Sequence, residues 1–221
     1  EHEAFKYYKK SADMGDAEGT YNVGHCYQNG IGVQKDEPKA FEYYQKSAKM
    51  GNASGAYNVG YCYQNGIGVE KNEQEAFKYY KESANAGYAV GMDNVGNCYQ
   101  NGIGIEKNEQ EAFKYYKESA DMGHAGGMDN VGYCYQNGIG VEKNEHEAFK
   151  YYIEYEKLKE NAKKIGPSKC FDIKSIIISL FLLLSIILFI IIIHKSSSFI
   201  LFIIIIHKSF KTTFEPKDFN S

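Results

Sequence analysis

The chain has 221 residues, a formal net charge of −3 and 24% charged residues, and all 25 of its basic residues are lysine. Nucleic-acid and phosphate sites lean on the bidentate fork of arginine, so its absence argues against both. Through residues 1–146 carboxylates outnumber lysines by 21 to 14, and the basic excess gathers around an apolar C-terminal stretch. The sequence opens at Glu1, without methionine and inside a repeat, which predicts that further sequence precedes it.

Residues 2–14 read as one lone helix, the second half of a repeat. The next stretch, 15–50, holds a whole unit. Ala17, Thr20, Gly24 and Tyr27 follow one stripe of a first helix. Gly30 ends it, because a helix C-terminus favours a residue free to adopt left-handed backbone. Ile31 supplies the apolar contact of such a cap, and Gly32 allows a second tight bend. A second helix starts near Asp36, buries Phe41, Tyr44 and Ala48, and is closed by Gly51. In later copies Asn72-Glu73-Gln74-Glu75 and Asn144-Glu145-His146-Glu147 resemble a capping box. Gly19 and Gly24 lie inside the first helix, where each costs roughly 1 kcal/mol against alanine. Close approach by the aromatic side chains of a packed helix would offset that cost.

The unit then repeats. "CYQNGIGV" stands at 26–33, 62–69 and 134–141, with "CYQNGIGI" at 98–105, always 36 residues apart. A fixed period of this size signals a solenoid, in which each unit buries its apolar face only against its neighbours. Repeats are expected to start at residues 15, 51, 87 and 123. The last breaks the pattern: "YYIEYEKLKENAKKIG" puts Tyr155-Glu156 where Ser-Ala is expected and runs on as a polar capping helix over 146–165.

The pattern G-x-A-x-G…V-G-x-C-Y-x-N-G-x-G-V…A-F-x-Y-Y…S-A-x-x-G closely resembles the Sel-1-like repeat of fungal type, a tetratricopeptide-like α/α unit with a longer internal loop. It departs at Val23, where the family often has leucine, and at Tyr43, where tryptophan or tyrosine is usual. The resemblance covers 15–152 and the lone helix before it. It implies an all-α, right-handed α/α superhelical solenoid over residues 1–165 that binds other proteins. It does not imply catalysis or a cofactor.

Beyond a linker at 166–172 comes "IIISLFLLLSIILFIIII", residues 176–193. At about 1.5 Å per residue it reaches roughly 27 Å, near the hydrocarbon thickness of a bilayer. A single transmembrane helix over 173–193 is expected, followed by a low-complexity tail at 194–221. Six lysines in 156–175 against three in 194–213 place the repeats in the cytosol by the positive-inside rule. The duplicated "LFIIIIHKS" at 188–196 and 201–209 leaves open a second reading, translated noncoding sequence.

Chemical motifs are absent. Cys26, Cys62, Cys98 and Cys134 recur once per repeat with no C-x-x-C pair and read as buried thiols, not zinc ligands or disulfides. Cys170, beside the apolar run, is a candidate for palmitoylation or an idle thiol. The Gly-rich loop lacks both nucleotide fingerprints, and the six histidines show no metal spacing. Neither metal nor cofactor is expected.

Binding information must sit where the copies differ. In the first helices the differences concentrate at Glu18/Ser54/Val90/Gly126, Tyr21/Tyr57/Asp93/Asp129 and His25/Tyr61/Asn97/Tyr133. Offsets of three and four put these rows on one helical face. A constant Asn22/Asn58/Asn94/Asn130 lies beside them. First helices line the concave surface in tetratricopeptide-like scaffolds, so this face is the candidate site for a protein or peptide. The asparagine ladder has an alternative role, satisfying carbonyls of the neighbouring repeat.

The expected function is a non-catalytic adaptor tethered to a membrane. Two alternatives come from the resemblance: an endoplasmic-reticulum quality-control cofactor of a ubiquitin ligase, with lumenal repeats, and the repeat region of a larger protein kinase. The sequon Asn52-Ala53-Ser54 fits the first alternative weakly.

Overall fold

In a computed structural model of the chain, the structure describes residues 1–165, with side chains to residue 163. The described residues form α1 (His2–Asp13), α2 (Ala17–Asn29), α3 (Glu37–Lys49), α4 (Ala53–Asn65), α5 (Glu73–Asn85), α6 (Ala89–Asn101), α7 (Glu109–Asp121), α8 (Ala125–Asn137) and α9 (Glu145–Ile165). The expected transmembrane helix, linker and tail lie outside these residues. None of the described helices is long and apolar enough to cross a membrane.

Helices pair in sequence. The first helix of each unit packs on its own second helix (α2 on α3, α4 on α5, α6 on α7), and each second helix packs on the next first helix. First helices of adjacent repeats also touch, α4 with α6 and α6 with α8. They form the inner side of the stack.

Local chemistry fixes the helix starts. Asp16 accepts the Gly19 N–H at 2.8 Å, and Asn52 accepts the Gly55 N–H at 2.7 Å. Second helices are capped by Asp36, Asn72 and Asn108. Only half of the anticipated capping box forms: Asn72 accepts the Glu75 N–H, but its own N–H donates to the Tyr63 carbonyl at 2.9 Å. Glu75 turns instead to Lys78.

The core is a ladder repeated from unit to unit. Tyr44, Tyr80 and Tyr116 are fully buried, and each hydroxyl donates to a glutamine of the paired first helix: Gln28 at 2.7 Å, Gln64 at 2.5 Å and Gln100 at 2.7 Å. A buried phenol without such an acceptor would cost about 1–3 kcal/mol. A Cβ on Gly60 would meet the Tyr80 ring at 2.8 Å, so this glycine makes room for the tyrosine. Ser47, Ser83 and Ser119 are likewise buried and donate to the carbonyls of Ala17, Ala53 and Ala89 at 2.7–2.8 Å.

Between repeats the contacts are aromatic. Phe41 meets Tyr63 edge-on at 5.2 Å, Phe77 meets Tyr99 at 5.3 Å and Phe113 meets Tyr135 at 5.2 Å. In α9 the equivalent Phe149 is 64% exposed and Ile153 38% exposed, so the outer side of this helix is not uniformly polar.

The recurrent loop is a joint with two different glycines. Gly102 has φ +71° and caps α6, its N–H reaching the Cys98 carbonyl. Gly104 also has positive φ, and a Cβ there would collide with the Glu73 carbonyl of the preceding repeat. The second glycine therefore does more than bend the chain: it seats each loop on the start of the previous second helix.

Candidate protein-interaction face

The rows that differ between copies all belong to α2, α4, α6 and α8. Glu18, His25, Tyr61, Asn97, Asp129 and Tyr133 are exposed, whereas Tyr21, Asn22, Ser54, Tyr57, Asn58, Val90, Asp93, Asn94, Gly126 and Asn130 are half-buried. The face is thus continuous but not uniformly free.

Its two ends differ in chemistry. Toward the N-terminus it is aromatic: Tyr57 contacts Tyr61, Tyr80 and Tyr88, with centroids 6.4, 5.7 and 5.8 Å away. Tyr21 leans on Tyr44 at 5.7 Å. Burial pushes the Tyr21 and Tyr57 hydroxyls above the usual phenol range. Both tyrosines carry part of the packing as well as part of the face. The pattern of differences alone could not separate these two roles.

Toward the C-terminus the same row turns acidic. Asp93 accepts a hydrogen bond from Asn130 of the next repeat at 2.9 Å. Burial raises the Asp93 carboxyl above its ordinary value, against the lowering effects of Asn130 and of His124 nearby. His124 itself serves as an N-cap, its Nδ1 accepting the Gly127 N–H at 3.2 Å. Asn58 and Asn94 donate to carbonyls of their own helix, Ser54 at 3.0 Å and Val90 at 2.9 Å. The ladder does not reach neighbouring carbonyls. Between repeats it meets side chains: Asn130 donates to the Asp93 carboxylate, and Asn58 lies beside the Tyr21 hydroxyl.

Beside this junction is a cavity of about 350 Å³. Asn97 and Gln100 of α6 form one wall, Asp129 and Tyr133 of α8 the other, and Tyr116 and Tyr152 close the base. Asp129 is near enough to Tyr152 to raise its phenol further, after burial. Four of the lining residues, Asn97, Asp129, Asn130 and Tyr133, belong to the face expected from sequence. The glutamine and the two second-helix tyrosines were not foreseen, although their 36-residue recurrence and their Tyr–Gln spacing of 16 were visible.

The four recurrent cysteines are packed as core residues. Cys26, Cys62, Cys98 and Cys134 are free and buried. Burial pushes the Cys62 and Cys98 thiols up to about 12 and Cys134 to about 11, away from the reactive thiolate. Among the described residues no three His, Cys, Asp or Glu side chains are grouped to hold a metal ion. His2 and His146 are exposed at the starts of α1 and α9.

Stacked helical hairpins with an open inner face of first helices define an α/α repeat solenoid. The Sel1 repeat model matches residues 1–16, 17–52, 53–88, 89–124 and 125–154, so the chain belongs to the Sel1 repeat family. Repeats of this family are protein-interaction scaffolds. The chain is similar, at 29% identity and a TM-score of 0.67, to a Sel1 repeat protein from Oxalobacter formigenes, the match covering 71% of this chain and 62% of that one. It is also similar to c5321, a protective antigen of uropathogenic Escherichia coli with an SLR fold, at 27% identity and a TM-score of 0.67 over 71% of this chain and 34% of that one. The chain thus spans less than two thirds of the length of either protein. None of the curated proteins matches it.

Proposed function

We propose that this chain is a non-catalytic scaffold that holds a protein or peptide against the inner face of α2, α4, α6 and α8. The observation that carries this reading is where the copies differ. In the first helices the joint and core positions are largely kept from unit to unit, while the differences concentrate in three rows on one helical face. A photo-crosslinking residue placed at Tyr61 or Tyr133 in the native host should give discrete adducts, and one placed at Glu82 on the outer face should not. Equal adducts from all three positions, or adducts from Glu82 alone, would move the site elsewhere.

A membrane tether is the finer part of the proposal. It is supported by the uninterrupted apolar run at 176–193 and by the lysines that precede it. The chain should resist carbonate extraction, and removal of residues 173–221 should release it. A glycan on Asn52 would support the lumenal alternative. In the fold both ends of that amide are in use, since Asn52 also donates to Glu18 at 2.8 Å. Protease-accessible repeats in sealed vesicles would favour the cytosolic side, and a glycan on Asn52 the lumenal one.

A further inference from the structure

We infer that the inner face recognises a cationic segment, with a lysine or arginine side chain of the partner seated in the cavity between α6 and α8. This rests on the proposed scaffold reading and names the partner's chemistry.

The inference begins with how charge is divided between the two helix sets. α2, α4, α6 and α8 contain no lysine, and their carboxylates are Glu18, Asp93 and Asp129. Every ion pair of the described residues lies on the second helices or the loops that lead into them, as in Lys39–Asp36, Lys78–Glu75 and Lys150–Glu147. The outer side neutralises itself. The inner side forms no ion pair: Glu18 meets an asparagine amide, and Asp93 meets another with His124 nearby.

Asp129 is the carboxylate left available. It is exposed, makes no ion pair, and stands at the mouth of the 350 Å³ cavity. Its surroundings suit a cation with an alkyl stem. Tyr133 and Tyr152 are among its lining residues, and an aromatic ring attracts an ammonium or guanidinium by its quadrupole. The Tyr116 and Tyr152 hydroxyls donate to Gln100 and Gln136. The lining pairs one carboxylate, Asp129, with amides and phenols, and holds no lysine. An anionic group entering here would meet the Asp129 charge.

The test uses the purified full chain and three fluorescent peptides of equal length, built from Gly-Ser-Lys, Gly-Ser-Gln and Gly-Ser-Glu repeats. Anisotropy should show binding of the lysine peptide alone, weakened by salt as charge attraction requires. Asp129→Asn should weaken it about tenfold, the scale of a charge-assisted hydrogen bond. Glu82→Gln, an equal charge change on the outer side of α5, should leave it unchanged. Equal losses from both variants would mean diffuse attraction to an acidic protein and overturn the site. Equal binding of the glutamine peptide, or no binding of the lysine peptide, overturns the cationic inference. The crosslinking pattern at Tyr61 and Tyr133 separately decides whether the face takes a partner at all.

Discussion

Gly102→Ala and Gly104→Ala, compared in the repeat unit 1–165, separate two kinds of glycine that sequence does not distinguish. Both positions have positive φ, +71° and +68°. Left-handed backbone costs a non-glycine residue about 1–2 kcal/mol, and that is the whole expected loss at Gly102, where a Cβ would find its nearest neighbour 3.6 Å away. At Gly104 the new methyl would strike the Glu73 carbonyl, with the Gln74 nitrogen only 2.9 Å off. Relieving an overpacked contact adds about 1–3 kcal/mol, so Gly104→Ala should lose about 2–5 kcal/mol in all. The penalty falls on the joint between two repeats, and a solenoid is held by such nearest-neighbour terms. Urea unfolding followed by far-ultraviolet circular dichroism should show a simple shift for Gly102→Ala. For Gly104→Ala it should show a larger loss with a broadened or split transition. Equal losses would refute the inter-repeat contact, and no loss in either would refute the turn geometry.

Tyr57→Ala should destabilise the repeat unit by about 2 kcal/mol because its ring lies on Tyr80, whereas Tyr61→Ala should change stability by under about 0.5 kcal/mol; thermal melts of the two variants check this. Asp93 is held protonated to a higher pH when folded than when unfolded, so the folded state binds more protons between the ordinary carboxylate value of about 4 and the raised one. Stability should therefore fall as pH rises through that window, and Asp93→Asn should remove the slope; urea midpoints measured across the window check both. The thiols of Cys26, Cys62, Cys98 and Cys134 should resist a water-soluble disulfide reagent in the folded repeat unit and react together on unfolding, and partial labelling of the native state would contradict their burial.

Much of this fold was legible because the sequence states it four times. A 36-residue period, a left-handed glycine after each first helix and an aromatic stripe in each second helix leave little freedom in the choice of architecture. What could not be read was which polar group answers which. The half-formed capping box is one case, since the Asn72 N–H is claimed by Tyr63, nine residues earlier in sequence and near only once the loop has folded. Asp93 is another. A carboxylate in a varying row reads as solvated surface, yet here it is covered by Asn130 from the next repeat. Tyr57 joins face and core because a tyrosine ring is large enough to do both.

Near-identical repeats also limit where recognition can be written. In α2, the Ala17 carbonyl is committed to Ser47, and Gly19 and Gly24 are held small by Ser11 and Tyr44. Thr20, Val23 and Cys26 are buried. Tyr27 stacks on Tyr43, Gln28 accepts from Tyr44, and Asn29 closes the helix by donating to the His25 carbonyl. The positions left are Glu18, Tyr21, Asn22 and His25, which fall on one face because their offsets of three and four match the helical turn. Substitution at the buried or committed positions of a first helix disturbs packing, at a cost in the ordinary range of about 0.5–3 kcal/mol for single changes. On the proposed reading, the passage from tyrosine at positions 21 and 57 to aspartate at 93 and 129 is where the chemistry of the face changes.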